Sequence, residues 1–343
     1  MKALVFEEHG SIENLKLLDL PEPKIKRDEV LVKLSSSALN HLDLFVLAGW
    51  KGLNLKFPHI CGADGTGTVL EVGEEVSGFK TGDEVVINPG ISCMRCDFCF
   101  KGENSLCKDF GILGEQFPGT FAEYISVPFY NLELAPNHLD KNERSAFPLT
   151  FLTSYRMLFK RGKIKSGDKI LVHGASSGVS LASIIFSKLA GCQVITTSSK
   201  ENAIEKAKEI GADFVLNYKN ENVLKKVMEI TEGKGVDFVV DSVGKETWIS
   251  SLKLVKKGGT ILTCGATSGP NPEEEIRLIF WKQINIMGST MSSISEFKEM
   301  VNLVKEKKLK PVIDSVFTLE DAKEAYKKLE EAKQVGKIVL AIN

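Results

Sequence analysis

Four of the seven cysteines fall within fifteen residues, Cys93, Cys96, Cys99 and Cys107, in the pattern C-x2-C-x2-C-x7-C. Four thiolates at this spacing can wrap one ion and close a tetrahedral site. That predicts a structural zinc, because no coordination position is left for a substrate. Four thiolates also suit an iron–sulfur cluster. The segment is rich in charge, however (Arg95, Asp97, Lys101, Glu103), and no second cluster spacing occurs, so zinc is preferred. A second chemical signature is the turn Gly174-Ala175-Ser176-Ser177-Gly178-Val179. Small residues let the backbone approach a pyrophosphate, and a helix starting near Gly178 would aim its first N–H groups at that charge. The match to G-x-G-x-x-G is poor, so the turn draws its weight from the strands around it.

Those strands are legible. From Lys169 the chain alternates: strands at 169–173, 193–197, 213–216, 236–241, 260–264 and 284–287, with helices at 178–190 and 201–210 and further helical segments between them. This alternation predicts a parallel sheet covered by helices on both faces, a dinucleotide-binding arrangement of Rossmann type. Residues 1–150 read differently. Short β runs at 1–6, 30–35, 67–72, 84–87 and 122–127 are separated by Gly, Pro and Asp turns, which suits a compact irregular barrel. Amphipathic helices at 295–307 and 319–331 and a strand at 337–341 close the chain. The expected division is therefore 1–150 (with the metal lobe at 93–107), 151–289, and a segment 290–343 returning to the first domain.

Composition narrows the function. The 343 residues are 43% hydrophobic and 26% charged, with a formal net charge of −1. Near neutrality there is no bulk electrostatic case for nucleic acid or an anionic membrane surface. No apolar run is long enough to span a bilayer, and the opening MKALVFEEHG turns acidic too early for a signal peptide. A cytoplasmic enzyme acting on a small molecule is the expectation. Nucleotide preference can also be argued. NAD binders place an acid at the end of the second strand to hold the ribose diol. Here that strand runs into Ser198, Ser199 and Lys200, which suit a 2′-phosphate, and Tyr218 after the third strand could pack on the adenosine end. NADP(H) is expected. Gly265, Ala266 and Thr267, after the fifth strand, fall at the carboxyl edge of the sheet, where ligands bind.

A β-rich N-terminal half, a four-cysteine lobe and a C-terminal dinucleotide fold together resemble the medium-chain dehydrogenase/reductase superfamily along essentially the whole chain. The landmarks are Pro58–Gly67 (PHICGADGTG), the Cys93–Cys107 lobe, Gly174–Ser180, Asp241-Ser242-Val243-Gly244 and Gly288-Ser289-Thr290, the last three resembling the quinone-oxidoreductase branch. The resemblance implies an α/β fold, with a GroES-like catalytic domain and a Rossmann domain. It also exposes departures. Where zinc alcohol dehydrogenases hold a catalytic zinc, this chain has Asn40, Ala63 and Thr150, and the proton-relay hydroxyl falls at Leu42. An amide, a methyl and a hydroxyl do not replace those ligands.

What remains accessible is hydride delivery from NADPH to an acceptor that is already electrophilic, a quinone or an α,β-unsaturated carbonyl compound. By resemblance, Asn40 would donate a hydrogen bond where charge develops, Asp43 would buttress its turn, Thr153 would lie beside the nicotinamide amide, and His41 would touch the pyrophosphate. Two alternatives stand beside this. One is an alcohol dehydrogenase with substitute zinc ligands, His59 and Cys61 being the nearest candidates. The other is a non-enzymatic NADPH-binding protein. The apolar strand at 284–287, with Phe280 and Trp281, predicts edge pairing into a homodimer or homotetramer.

Overall fold

The computed structural model describes residues 1–342 and divides the chain into two compact units, Met1–Leu152 with Ser292–Asn343, and Thr153–Met291.

In the first unit the longest strand, Glu29–Ala38, is the hub. It pairs antiparallel with Asp64–Val72, with Tyr124–Pro128 and with Lys337–Ala341. Glu84–Ile87 and Leu132–Leu134 extend the sheet on one side, and Ile313–Thr318 extends it on the other. The register matters for chemistry. Ala38 lies opposite both Asp64 and Val339, so the ends of three adjacent strands bring residues 40, 64 and 337 to one place. Val30, Val32, Leu34, Val69, Val85 and Ile87 form one core below the sheet. A second core is built from Leu4, Phe6, Leu39, Val46, Leu47, Phe121 and Tyr326.

The sequence underestimated this unit. Asn40 opens a helix, His41–Ala48, where a turn was expected; the carboxylate of Asp43 supplies its start signal. The helix Lys141–Ala146, and strands at Lys16–Asp19, Leu132–Leu134 and Ile313–Thr318, also went unread. Their alternation is weak: Ile313–Thr318 is half-buried at nearly every position, so no period of two marks it.

The second unit is a six-stranded parallel sheet in the order Phe214–Asn217, Gln193–Ser198, Lys169–Val172, Val236–Asp241, Val255–Thr263, Asn285–Gly288. The near-continuous Val/Ile/Leu runs reflect burial on both faces. Leu171, Ile195, Val239 and Ile261 fill its core with Leu252 and Leu254 from the helix Trp248–Leu254. Asn285–Gly288 is an edge strand, and Trp281 before it is 76% exposed. No described helix is long and apolar enough to cross a membrane.

Candidate active site

The first unit gathers a buried polar cluster at the strand register just described. Asp64 is fully buried in the sheet. Its Oδ1 accepts from Leu149 N–H at 2.7 Å, and its Oδ2 accepts from Asn40 Nδ2 at 3.0 Å and from Lys337 Nζ at 2.9 Å. Lys337 Nζ also donates to Asn40 Oδ1 at 2.5 Å. The hydroxyls of Ser37 and Thr120 donate to the Asp64 carbonyl oxygen. A buried ammonium and carboxylate are tolerable only when paired and hydrogen-bonded in this way. Removing one partner of such a pair typically costs about 3–5 kcal/mol.

Asn40, Ala63 and Thr150, the three positions that the family resemblance sets against metal ligands, lie on segments joined through Asp64. Ala63 is buried and has no donor atom. The Asn40 amide is not a free donor as expected: its N–H groups go to Asp64 Oδ2 and to Ala38 O at 3.3 Å, and its oxygen takes the lysine. The reason is that the buried Asp64 carboxylate and Lys337 ammonium, besides pairing with each other, need further hydrogen bonds and claim the amide first.

Asp43 sits behind this group, 2% exposed. Its Oδ2 accepts from Asn40 N–H at 2.7 Å and its Oδ1 from Gly62 N–H at 3.1 Å, so one carboxylate ties the helix start to the Gly62 turn. Burial pushes its pKa up to about 7, against the pull of those N–H groups and of Lys337. His41, half-buried, is shifted down by burial and then by the Lys337 charge, which favours a neutral ring. Lys337 was missed by the sequence reading. Nothing marks one lysine in a Lys-rich chain, and only the register places it opposite residue 40.

In the second unit the turn after Lys169–Val172 has Gly174 at φ +75°, a conformation that L side chains rarely adopt. A Cβ there would meet nothing closer than Ser180 Oγ at 4.0 Å, so the space above the turn is open. Ala175 is buried, while Ser176, Gly178 and Val179 are partly open to solvent. Ser177 caps the helix Gly178–Leu189, accepting from Ser180 N–H at 3.1 Å, and Ser180 Oγ donates to His173 O. Small side chains, open space and unsatisfied helix N–H groups fit a dinucleotide pyrophosphate.

At the second strand end, Ser198 Oγ accepts from Lys200 N–H, and Ser199 Oγ donates to Tyr218 Oη at 2.8 Å. Gly265, Ala266 and Thr267 follow Val255–Thr263 and lean on the neighbouring loop through Thr267 N–H to Ser242 O and Ser268 N–H to Val243 O. Asp241 anchors that loop. Its Oδ1 accepts from Val243 and Gly244 N–H, and Ser251 Oγ donates to its Oδ2 while lying 3.0 Å from His173 Nε2. The support given by Asp241, Ser251 and His173 went unread because they are distant in sequence. Thr153 is buried, with its hydroxyl directed at Met291 Sδ.

The four lobe cysteines form the one convergent group of three or more His, Cys, Asp or Glu ligands among the described residues, with all sulfurs within 4.8 Å of one another. Cys96–Cys99 and Cys93–Cys99 separations are 3.6 and 4.0 Å. Tetrahedral zinc at ~2.3 Å from each sulfur needs edges near ~3.8 Å, so the donor set fits. N–H groups of Cys93 and Asp109 point at Cys107 Sγ. His59 and Cys61 join no such group; His59 Nε2 lies 3.1 Å from Gly114 O.

Comparison with known proteins agrees with this architecture. Residues 26–137 match the alcohol dehydrogenase GroES-like domain, and 178–306 match the zinc-binding dehydrogenase domain. The chain belongs to the medium-chain dehydrogenase/reductase superfamily. It is 33% identical to a zinc-type alcohol dehydrogenase-like protein of Schizosaccharomyces pombe, covering 100% of this chain and 99% of that one. It is 30% identical to an acryloyl-coenzyme A reductase of Sulfurisphaera tokodaii, covering 99% of each. A crystal structure of an NAD-dependent alcohol dehydrogenase superposes with a TM-score of 0.97 at 43% identity over 100% of both chains. The protein is thus an oxidoreductase of the alcohol dehydrogenase family.

Two outcomes follow from the geometry of this superfamily member. Asp43 has a folded pKa of about 7 against an ordinary value of 3.8. The unfolded chain therefore loses this proton first as pH rises, and the group subtracts stability progressively from about pH 4 to pH 7. Urea unfolding across that window should show wild type losing stability relative to Asp43→Asn; a constant difference would contradict the buried, protonatable carboxyl. Cys93→Ser should lower bound metal from about one zinc per chain to none and open the 93–107 segment to proteolysis. Iron, or no metal, in the purified wild type would overturn the zinc assignment.

Proposed function

We propose that this dehydrogenase/reductase superfamily member is an NADPH-dependent reductase of quinones or α,β-unsaturated carbonyl compounds, working without a catalytic zinc and with one structural zinc in the cysteine lobe. The observation that carries the reading is the donor chemistry where metal ligands would be required. Asn40 is committed to Asp64 and Lys337, and Ala63 offers nothing. Without a Lewis acid, an alcohol is a poor hydride donor, because its alkoxide is not stabilised. An activated alkene or quinone needs less help, since hydride lands on carbon and the charge spreads to oxygen. The name of the 30%-identical acryloyl-coenzyme A reductase falls in the same acceptor class.

Bound NADPH would supply the hydride. Gly174, Ala175, Ser176, Ser177, Gly178 and Val179 would cradle its pyrophosphate. Ser198 and Lys200 would take the 2′-phosphate, Tyr218 would cover the adenosine, and Gly265, Ala266 and Thr267 would line the sheet edge. Asn40 acts by holding Lys337 and Asp64, Asp43 by fixing the helix that presents Asn40, and Thr153 by contact with the nicotinamide amide. NADPH is favoured although the 43%-identical structure is named NAD-dependent, because Ser198 places a hydroxyl where an acid would repel the extra phosphate.

A substrate panel tests this. Wild type should reduce a simple quinone or enone with NADPH, faster than with NADH, and insensitively to a chelator that leaves the lobe metal in place. Ethanol oxidation should be slow. Lys200→Ala should weaken NADPH binding about tenfold and leave NADH nearly unchanged. Fast, chelator-sensitive alcohol oxidation would instead favour zinc held by substitute ligands, and tight NADPH binding without turnover of any acceptor would favour a binding protein. We also propose assembly through the Asn285–Gly288 edge into a homodimer, or a tetramer of dimers. Light scattering at micromolar concentration should exclude a monomer, and Ile286→Lys should shift wild type toward one.

A further inference from the structure

A cavity of about 440 Å³ opens where the three sheets of the first unit meet. Ile60 comes to it from the strand His59–Ile60, and Ile91, Leu113 and Phe117 from the strand pair Gly90–Ile91 and Gly111–Ile112 and the chain that follows. The strand Tyr124–Pro128 forms a further wall. Its alternate residues Tyr124, Ser126 and Pro128 are only half-buried, where a face packed on another layer would bury them. Every lining residue belongs to the first unit. Asn40, Asp43, Asp64, Lys337 and the four lobe cysteines are not among them. Small-molecule pockets span about 300–1,000 Å³ and are largely apolar with a few polar groups, which describes this one.

The polar lining is unevenly satisfied. Glu29 is fully engaged: its Oε1 accepts from Lys26 Nζ at 2.6 Å, and its Oε2 accepts from Lys26 N–H at 3.0 Å and from Ser126 Oγ at 2.9 Å. The Met1 amino group donates to Leu20 O at 2.6 Å. The Asp28 carboxylate and the hydroxyls of Tyr124 and Tyr130 make no hydrogen bond to another described residue. Burial, and then the charges of Asp28 and Glu29, push the Tyr130 hydroxyl up to about 12, so the field on its side of the cavity is negative. An unclaimed carboxylate, two unclaimed phenols and apolar walls therefore share one space.

We propose that this cavity is a binding site for an organic ammonium ion, a protonated amine on a small apolar body, with Asp28 pairing with its charge and Tyr130 accepting from its N–H. The charge is what selects the ligand. A charge-assisted hydrogen bond from an ammonium to a carboxylate is about twice as strong as one between neutral groups. The rings of Phe117, Tyr124 and Tyr130 line the same space and favour a cation over a neutral group. A bare divalent ion fits poorly, because calcium or magnesium takes six or more oxygen ligands and the cavity offers one free carboxylate among hydrocarbon. The apolar walls take the body of the amine instead. The site lies apart from the residues assigned to hydride transfer, and the inference is independent of the proposed reductase activity.

Isothermal titration calorimetry on the full chain at neutral pH compares 2-phenylethylammonium with 2-phenylethanol, which keeps the ring and the chain but carries no charge. Wild type should bind the ammonium at least about tenfold more tightly than the alcohol. Asp28→Asn should abolish that preference and leave the affinity for the alcohol unchanged. Tyr130→Phe, which keeps the ring, should weaken the ammonium about threefold. The Asp28 carboxylate and the Tyr130 hydroxyl are bonded to no described residue, so neither substitution strips a partner from the fold; should one variant still fail to fold, the other carries the test. Location is read separately. A crystal soaked with 2-(4-bromophenyl)ethylammonium should show the anomalous signal of bromine among Ile91, Leu113 and Phe117, with the nitrogen at Asp28. Equal affinities for the two probes, a preference for the ammonium that survives Asp28→Asn, or bromine placed elsewhere on the chain would each overturn the proposal. A protein that binds the ammonium through Asp28 yet reduces neither a quinone nor an enone would refute the proposed function and leave this site standing.

Discussion

Lys337 Nζ has to be kept charged where water is excluded, and much of the first unit answers to that demand. A carboxylate must sit beside it, so Asp64 is buried. The carboxylate has further lone pairs to satisfy, so the Leu149 N–H and the Asn40 amide turn inward. Asn40 must be held still, so Asp43 is drawn under the helix start and linked on to the Gly62 turn. Each polar group is buried because the previous one needed a partner. The chain of obligations ends on backbone N–H groups, which cannot move away. Low local dielectric makes such a network strong when complete and costly when any member is missing.

The two other chemical features are built on different physics. The cysteine lobe is a closed donor set, in which short loops bring four sulfurs to tetrahedral spacing and leave no position for substrate. The turn 174–179 carries no charged side chain. Gly174, Ser177 and Ser180 offer backbone room and N–H direction, and Asp241, Ser251 and His173 hold the neighbouring loop from below. Shape and dipoles are suited to a ligand that brings its own charge.

The second unit was legible in the sequence because a parallel sheet buried on both faces writes apolar runs at regular intervals, and a cysteine lobe writes its own spacing. Asn40 stood out only by comparison with a family, and the carboxylate three residues later was readable as its support. The rest of the cluster was hidden for one physical reason. Lys337 and Asp64 meet Asn40 through strand register, and register is a long-range property that no local pattern carries. The same holds for Asp241, Ser251 and His173. The partners of the Asn40 amide, Asp64 and Lys337, could not be seen for the same reason.

The strand Lys337–Ala341 lies inside the first sheet, between Glu29–Ala38 and Ile313–Thr318. Ser36 and Leu340, in contact where it meets Glu29–Ala38, are separated by 304 positions. On a ribosome adding about 5–20 residues per second, the sheet would wait roughly 15–60 s for its missing strand. During that interval the Ser36–Ala38 end of the strand presents an open edge, and Asp64 stands without its lysine. The parallel sheet of the second unit, encoded within that gap, can close from a contiguous stretch of nascent chain. The order of assembly is thus inverted relative to the order of synthesis: the unit begun first is the one completed last, and the polar cluster comes together only as a closing step.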